Sequence, residues 1–203
     1  MAQYKKDKIK ESIDRAAALI FSEKGYRGTK IADISKQAQV SVGNIYRYYR
    51  GKDEIFYTIV PPDFIETLKN VLAEKVMAMK GKDLQGVLEA HDFQFFNDSF
   101  IGFMIENRES IIILLKHGQG SKYEDLRSEI ISFLTATIKD HYKSQYWKEE
   151  KEEKLDFVIE LIYDNLIRMV LGILEAVKNE KEAKAYLEFV QLYHLFGITE
   201  LFR

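Results

Sequence analysis

A chain of 203 residues with 46% hydrophobic and 31% charged side chains is long enough to bury a sizeable core in one or two compact domains. It contains no cysteine, which excludes disulfide frameworks, thiolate nucleophiles and Cys-ligated zinc or iron–sulfur centres. The net charge of −2 is unevenly spread: residues 1–55 carry twelve Lys/Arg against seven Asp/Glu, an excess of +5 that leaves the rest at −7. A basic head on an acidic body suits a polyanionic partner at one end only.

In chain order, Met1 to Lys8 is basic but runs into an amphipathic segment rather than the apolar stretch and cleavage site of a signal peptide, so export is not expected. Ile13, Ala16, Ala17, Ile20 and Phe21 form one helical stripe, predicting a first helix that ends near Gly25. Thr29 is placed to cap a short second helix carrying Ile31, Ile34 and Ala38. Val40 and Ser41 then turn the chain into a third helix, Val42 to about Tyr48. Two short helices joined by so brief a turn are the helix-turn-helix pattern. Ala32, Ile34, Ala38, Val40 and Ile45 supply the small and branched side chains expected to pack it over helix one. Lys52-Asp53-Glu54 puts acid in the first turn of a fourth helix.

Pro61-Pro62 must kink or restart that helix. A domain boundary is expected at or just before it, giving a head of residues 1–55 and a body of residues 56–203. Helical periodicity continues at roughly 63–80, 83–105, 108–117, 122–146, 151–178 and 180–201. Strand signals are nearly absent, so the expected class is all-α: a three-helix head followed by a helical bundle, about nine helices in all. The apolar stretch from Leu155 to Val177 is interrupted by Asp156, Glu160, Asp164, Arg168 and Glu175, which a membrane span would not tolerate.

The ordered array is specific. It runs from Ala16–Gly25 through Thr29-Lys30-Ile31-Ala32 and Val40-Ser41-Val42-Gly43-Asn44-Ile45-Tyr46-Arg47-Tyr48-Tyr49 to Lys52-Asp53-Glu54-Ile55-Phe56. Over about fifty positions it closely resembles the N-terminal domain of TetR-type regulators. A recognition helix contacts bases with its N-terminal residues, which nominates Val42, Gly43, Asn44 and Arg47 as readers. Arg47 suits a guanine, Asn44 an adenine, and Gly43 lets backbone approach the major groove. Thr29, Lys30, Ser41 and Lys52 are candidate phosphate contacts. The resemblance implies that the Tyr46 and Tyr48 hydroxyls meet phosphate or base edges. It also implies that Tyr49 fills a position more often held by a core phenylalanine.

The body matches the family only in size and helical character, so its own pattern must serve. Phe93, Phe96, Phe100 and Met104 make an aromatic stripe that reads as core or, alternatively, as the wall of an effector pocket. Polar anchors for a partly apolar small molecule would be Asn97, His117, Tyr142, Tyr163 and Arg168. The segment 155–177 is apolar on two sides, and with Leu187, Val190, Tyr193, Leu195 and Phe196 it supplies the homodimer interface that the resemblance implies for the last two long helices.

The resemblance implies a dimeric regulator, most simply a repressor, in the cytoplasm that reads a near-palindromic double-stranded DNA operator and releases it on binding a small-molecule effector. The alternative is a helical adaptor that binds only protein. No catalytic constellation, cofactor site or metal site is expected, because His91, His117, His141 and His194 lie far apart and Gly118–Lys122 lacks phosphate-loop spacing.

Overall fold

A computed structural model describes residues 2–77, 96–141 and 152–199. Among them every regular element is a helix, giving the all-α class expected. The helices are α1 (Ala2–Gly28), α2 (Ile31–Ala38), α3 (Val42–Ile45), α4 (Lys52–Ile59), α5 (Pro62–Met77), α6 (Asp98–Glu106), α7 (Arg108–Lys116), α8 (Leu126–His141), α9 (Glu152–Ala176) and α10 (Glu180–Thr199). They fall into two compact units, one of residues 1–66 with 108–127 and the other of residues 67–107 with 128–203.

In the first unit, α1 loses helical geometry at Gly25 (φ +71°, ψ 168°), a conformation open essentially to glycine alone. That break lets the chain turn into α2. Ile13, Ala17 and Phe21 of α1 are fully buried with Ile34, Ile45, Ile55 and Phe56, so one apolar stripe organises all four head helices. Ala32 does not join this core: it is exposed, and Val40 is only half-buried. The short α2 places its core on Ile34 and Ala38, one turn apart, which leaves Ala32 on the outer side.

Pro62 restarts the chain rather than kinking it. α4 stops at Val60, which leaves helical geometry, and α5 begins at Pro62, where a missing N–H costs nothing. α7 packs against α1, and its five successive buried residues Ile111 to Leu115 show that it is covered on all sides. The following loop closes as Ser121 bonds to Gly118, and Tyr123 meets Tyr57 edge-on at 5.4 Å.

The second unit is held by apolar packing of Leu68 and Val76 (α5), Phe100, Ile101 and Met104 (α6), Ile130 and Ile138 (α8), Ile159 and Leu174 (α9), and Leu187 (α10). α9 and α10 pack side by side, with Tyr163 meeting His194 edge-on at 5.4 Å. Surface pairs Lys139–Asp156 (3.1 Å) and Lys184–Asp98 (2.6 Å) link neighbouring helices at their rims.

Candidate nucleic-acid interface

Ser41 begins the recognition segment with extended backbone, and its hydroxyl accepts the N–H of Asn44 at 3.1 Å, satisfying an otherwise unpaired donor at the start of α3. α3 itself spans only Val42–Ile45, shorter than the helix to Tyr48 expected from sequence. Tighter turns extend it, with Arg47 N–H on the Asn44 carbonyl (3.2 Å) and Tyr48 N–H on that of Ile45 (2.9 Å). Ile45 (0% exposed) and Tyr49 (3%) point inward, whereas Val42, Gly43, Tyr46 and Arg47 are exposed and Asn44 and Tyr48 are half-buried. Four exposed side positions on a basic head therefore share one short segment. A Cβ added at Gly43 would meet nothing within 4 Å, so the start of the segment lies open. Among the described residues Arg47 makes no ion pair.

Two of the expected phosphate contacts are otherwise engaged. Thr29 is 2% exposed, and its hydroxyl donates to the carbonyls of Gly25 (2.7 Å) and Ile20 (3.4 Å), sealing the end of α1 instead of capping α2. The N-cap of α2 is Lys30, whose N–H donates to the Asp33 carboxylate at 3.0 Å while its side chain stays exposed. Lys52 donates its ammonium to the carbonyls of Tyr26 (2.8 Å) and Thr29 (3.3 Å) and lies 4.3 Å from the Tyr26 ring centre. It therefore clasps α4 to the end of α1. Ser41 and Lys30 remain on the surface.

Sequence reasoning missed Tyr26 and Asp14. The Tyr26 hydroxyl donates to Asp53, which pushes its pKa up to about 12, and its ring packs on Phe56 at 4.7 Å. Asp14 receives the Tyr49 hydroxyl from one side and the Lys10 ammonium (2.9 Å) from the other. Burial, and then Asp14, push the Tyr49 hydroxyl up to about 12, and the Tyr49 hydroxyl and Asp14 hold the Lys10 ammonium above its ordinary value. Residue pairs 27 and 35 apart leave no periodic trace in a sequence.

The pocket residues expected in the body separate. Phe93 and Tyr142 lie outside the described residues. Phe96 and Phe100 stack with ring centres 5.9 Å apart, and with Met104 and Tyr163 they are buried in the second unit. Asn97 caps α6 by accepting the Phe100 N–H at 2.9 Å, and Arg168 is a surface residue paired to Asp164 at 2.8 Å. His117 belongs to the first unit, where its carbonyl accepts the Tyr26 N–H. No cluster of three or more His, Cys, Asp or Glu side chains suited to a metal occurs among the described residues.

Residues 13–58 match the family model described as bacterial regulatory proteins, tetR family. The head is therefore similar to that family's, over less than a quarter of the chain. The chain is 43% identical over 63 residues to the HTH-type transcriptional regulator HbdR of Aromatoleum sp. (strain CIB), covering 31% of this chain and 24% of that protein. It is 49% identical over 51 residues to the biofilm operon negative transcriptional regulator IcaR of Staphylococcus epidermidis, covering 25% of each chain. The chain thus spans well under two thirds of these curated relatives. Among solved structures, a TetR-like transcriptional regulator from Rhodococcus sp. RHA1 shares the fold with a TM-score of 0.50 and 21% identity, covering 93% of this chain and 96% of that one. No described helix is long and apolar enough to cross a membrane.

Proposed function

We propose that this chain is a tetR-type regulator: a sequence-specific DNA-binding transcriptional regulator without catalytic function. The observation that carries the reading is the recognition segment: Ser41-capped, anchored inward by Ile45 and Tyr49, and presenting Val42, Gly43, Tyr46 and Arg47 to solvent on a head of charge +5. Arg47 is a bidentate reader of guanine, Asn44 and Tyr48 contact bases or phosphates beside it, and Lys30 and Ser41 hold the backbone. Thr29 and Lys52 support these residues from behind.

The chain acts as a homodimer in the cytoplasm. Phe157, Val158 and Leu161 on α9 and Tyr186, Phe189, Leu192 and Tyr193 on α10 are all exposed, a density of large apolar side chains that supports burial against a second copy. Two-fold symmetry places two recognition segments on half-sites about 34–36 Å apart on a near-palindromic operator. A partly apolar small molecule bound in the body releases the operator; Phe96, Phe100, Met104 and Tyr163 are the retained pocket residues. Such release requires the effector to prefer one of two states of the dimer.

Selection of bound duplexes from a random DNA pool tests the reading with no operator sequence assumed at the outset. A near-palindrome whose half-sites weaken on Arg47→Ala, with binding that falls steeply with salt, is the expected result. No enrichment at any salt concentration, together with capture of an acidic protein by the same head, would favour the adaptor alternative.

A further inference from the structure

A helical segment as short as Val42–Ile45 cannot hold its own shape, since nucleating a single turn fixes several dihedrals for one hydrogen bond. Its orientation is therefore set by what it touches. Ile45 is buried, but apolar burial is non-directional and permits rotation about the contact. Tyr49 is different: its N–H is on the Ile45 carbonyl at 3.0 Å, and its hydroxyl donates to the Asp14 carboxylate across the head. A hydrogen bond to a charged acceptor is short and directional, so it fixes the ring's rotation as well as its depth. Asp14 is itself held by Lys10 one turn earlier on α1, at 2.9 Å, and that ammonium sits 5.3 Å from the Tyr49 ring centre.

We propose that Asp14 is a positioning residue for operator reading: by accepting the Tyr49 hydroxyl it fixes the rotation of the segment that carries Tyr46, Arg47 and Tyr48. The proposal rests on the regulator reading and deepens it. Asp14 touches no base. It acts through Tyr49, which lies one residue from Tyr48 and two from Arg47 on a run of consecutive tight turns. Burial and Asp14 push the Tyr49 hydroxyl up to about 12, so it is a proton donor through the neutral range. Phenylalanine at position 49 would fill the same volume and leave Asp14 paired with Lys10, which separates the directional bond from the packing.

The test compares the full-length chain with Tyr49→Phe, Asp14→Ala, Asp14→Asn and the Tyr49→Phe/Asp14→Ala double variant. Affinity is measured for the duplex recovered by selection and for a scrambled duplex of equal length, well below each variant's melting transition. Tyr49→Phe and Asp14→Ala are each expected to lower the ratio of the two affinities by about tenfold, with the double variant no worse than either single. Affinity for the scrambled duplex, which depends on phosphate contacts, should stay within about twofold. Asp14→Asn keeps an acceptor and should retain the ratio within about threefold. A structural role alone would lower melting temperature without moving the ratio in the folded protein. Tyr49→Phe with undiminished discrimination overturns the proposal, and it remains decisive if Asp14→Ala does not fold. A parent chain that shows no discrimination at all overturns the regulator reading itself, a distinct result.

Discussion

The carbonyl of His117 accepts the backbone N–H of Tyr26 at 3.1 Å, joining the end of α7 to the break in α1. The approach is possible because the neighbouring residue is Gly25, where an added Cβ would lie 3.3 Å from that same carbonyl oxygen. Tyr26 is thereby tied through its backbone to His117 and Lys52 and through its hydroxyl to Asp53. Gly25→Ala combines a forbidden backbone conformation with this crowding and is expected to destabilise the head by about 2–3 kcal/mol, lowering the melting temperature by roughly 4–9 °C. Thermal unfolding followed by circular dichroism checks it; an unchanged transition would mean that the α1 break is not fixed by this contact.

The turn between α2 and α3 holds the opposite opportunity. Gln39 adopts the left-handed conformation (φ 56°, ψ 38°) at the end of α2, while its side chain is exposed and the Val40 N–H is already bonded to Ser35. Glycine relieves that strain without removing a contact, so Gln39→Gly should raise stability by about 1 kcal/mol and leave operator affinity unaltered. Chemical denaturation midpoints would register the gain, and a fall in midpoint would contradict it.

How much of the fold and site is legible in the sequence depends on distance along the chain. The stripe Ile13–Ala17–Phe21, a break at Pro61-Pro62 and the all-helical class follow from local spacing and are readable; that Pro62 restarts the helix is shown only by the fold. Thr29 misleads because a threonine preceding a helix resembles a cap; only the fold shows its hydroxyl turned back onto Gly25 and Ile20. Lys52 has a role that its charge does not announce, since two carbonyls at the end of α1 accept its ammonium. Of the residues expected at the dimer face, Leu155, Ile159, Leu166 and Leu187 are spent on the internal core, whereas Val158, Leu161 and Tyr193 are exposed, beside Phe157, Tyr186 and Phe189.

That outward face makes a direct prediction. Phe189 is 74% exposed in the single chain, so Phe189→Glu should leave folding intact while weakening self-association by about 2 kcal/mol or more. Sedimentation across a concentration series would show a shift toward monomer. A dimer indifferent to both Phe189→Glu and Leu161→Glu must use another surface.

Acid should loosen the body before it loosens the head. Burial pushes the His194 imidazole down to about 4 from its ordinary 6.5, so the folded chain keeps it neutral while the unfolded chain takes up a proton. The stability contributed by the neutral ring is complete above pH 6.5 and is lost as pH falls toward 4, a change of up to about 3 kcal/mol. His194→Gln should flatten that part of the stability profile, as measured by denaturant unfolding between about pH 7 and pH 4.5. An equally steep profile in the variant would assign the acid sensitivity elsewhere.

The reading head is assembled from two separated stretches of chain, residues 1–66 and 108–127. A cut after residue 56 would strip α7 from the side of α1 and Tyr123 from beside Phe56, baring the apolar surface that those elements cover. The proposed DNA-reading segment is therefore not supported by an N-terminal cassette alone. A chimera that borrows its recognition segment must also borrow the later strip of sequence against which α1 rests, or redesign that contact.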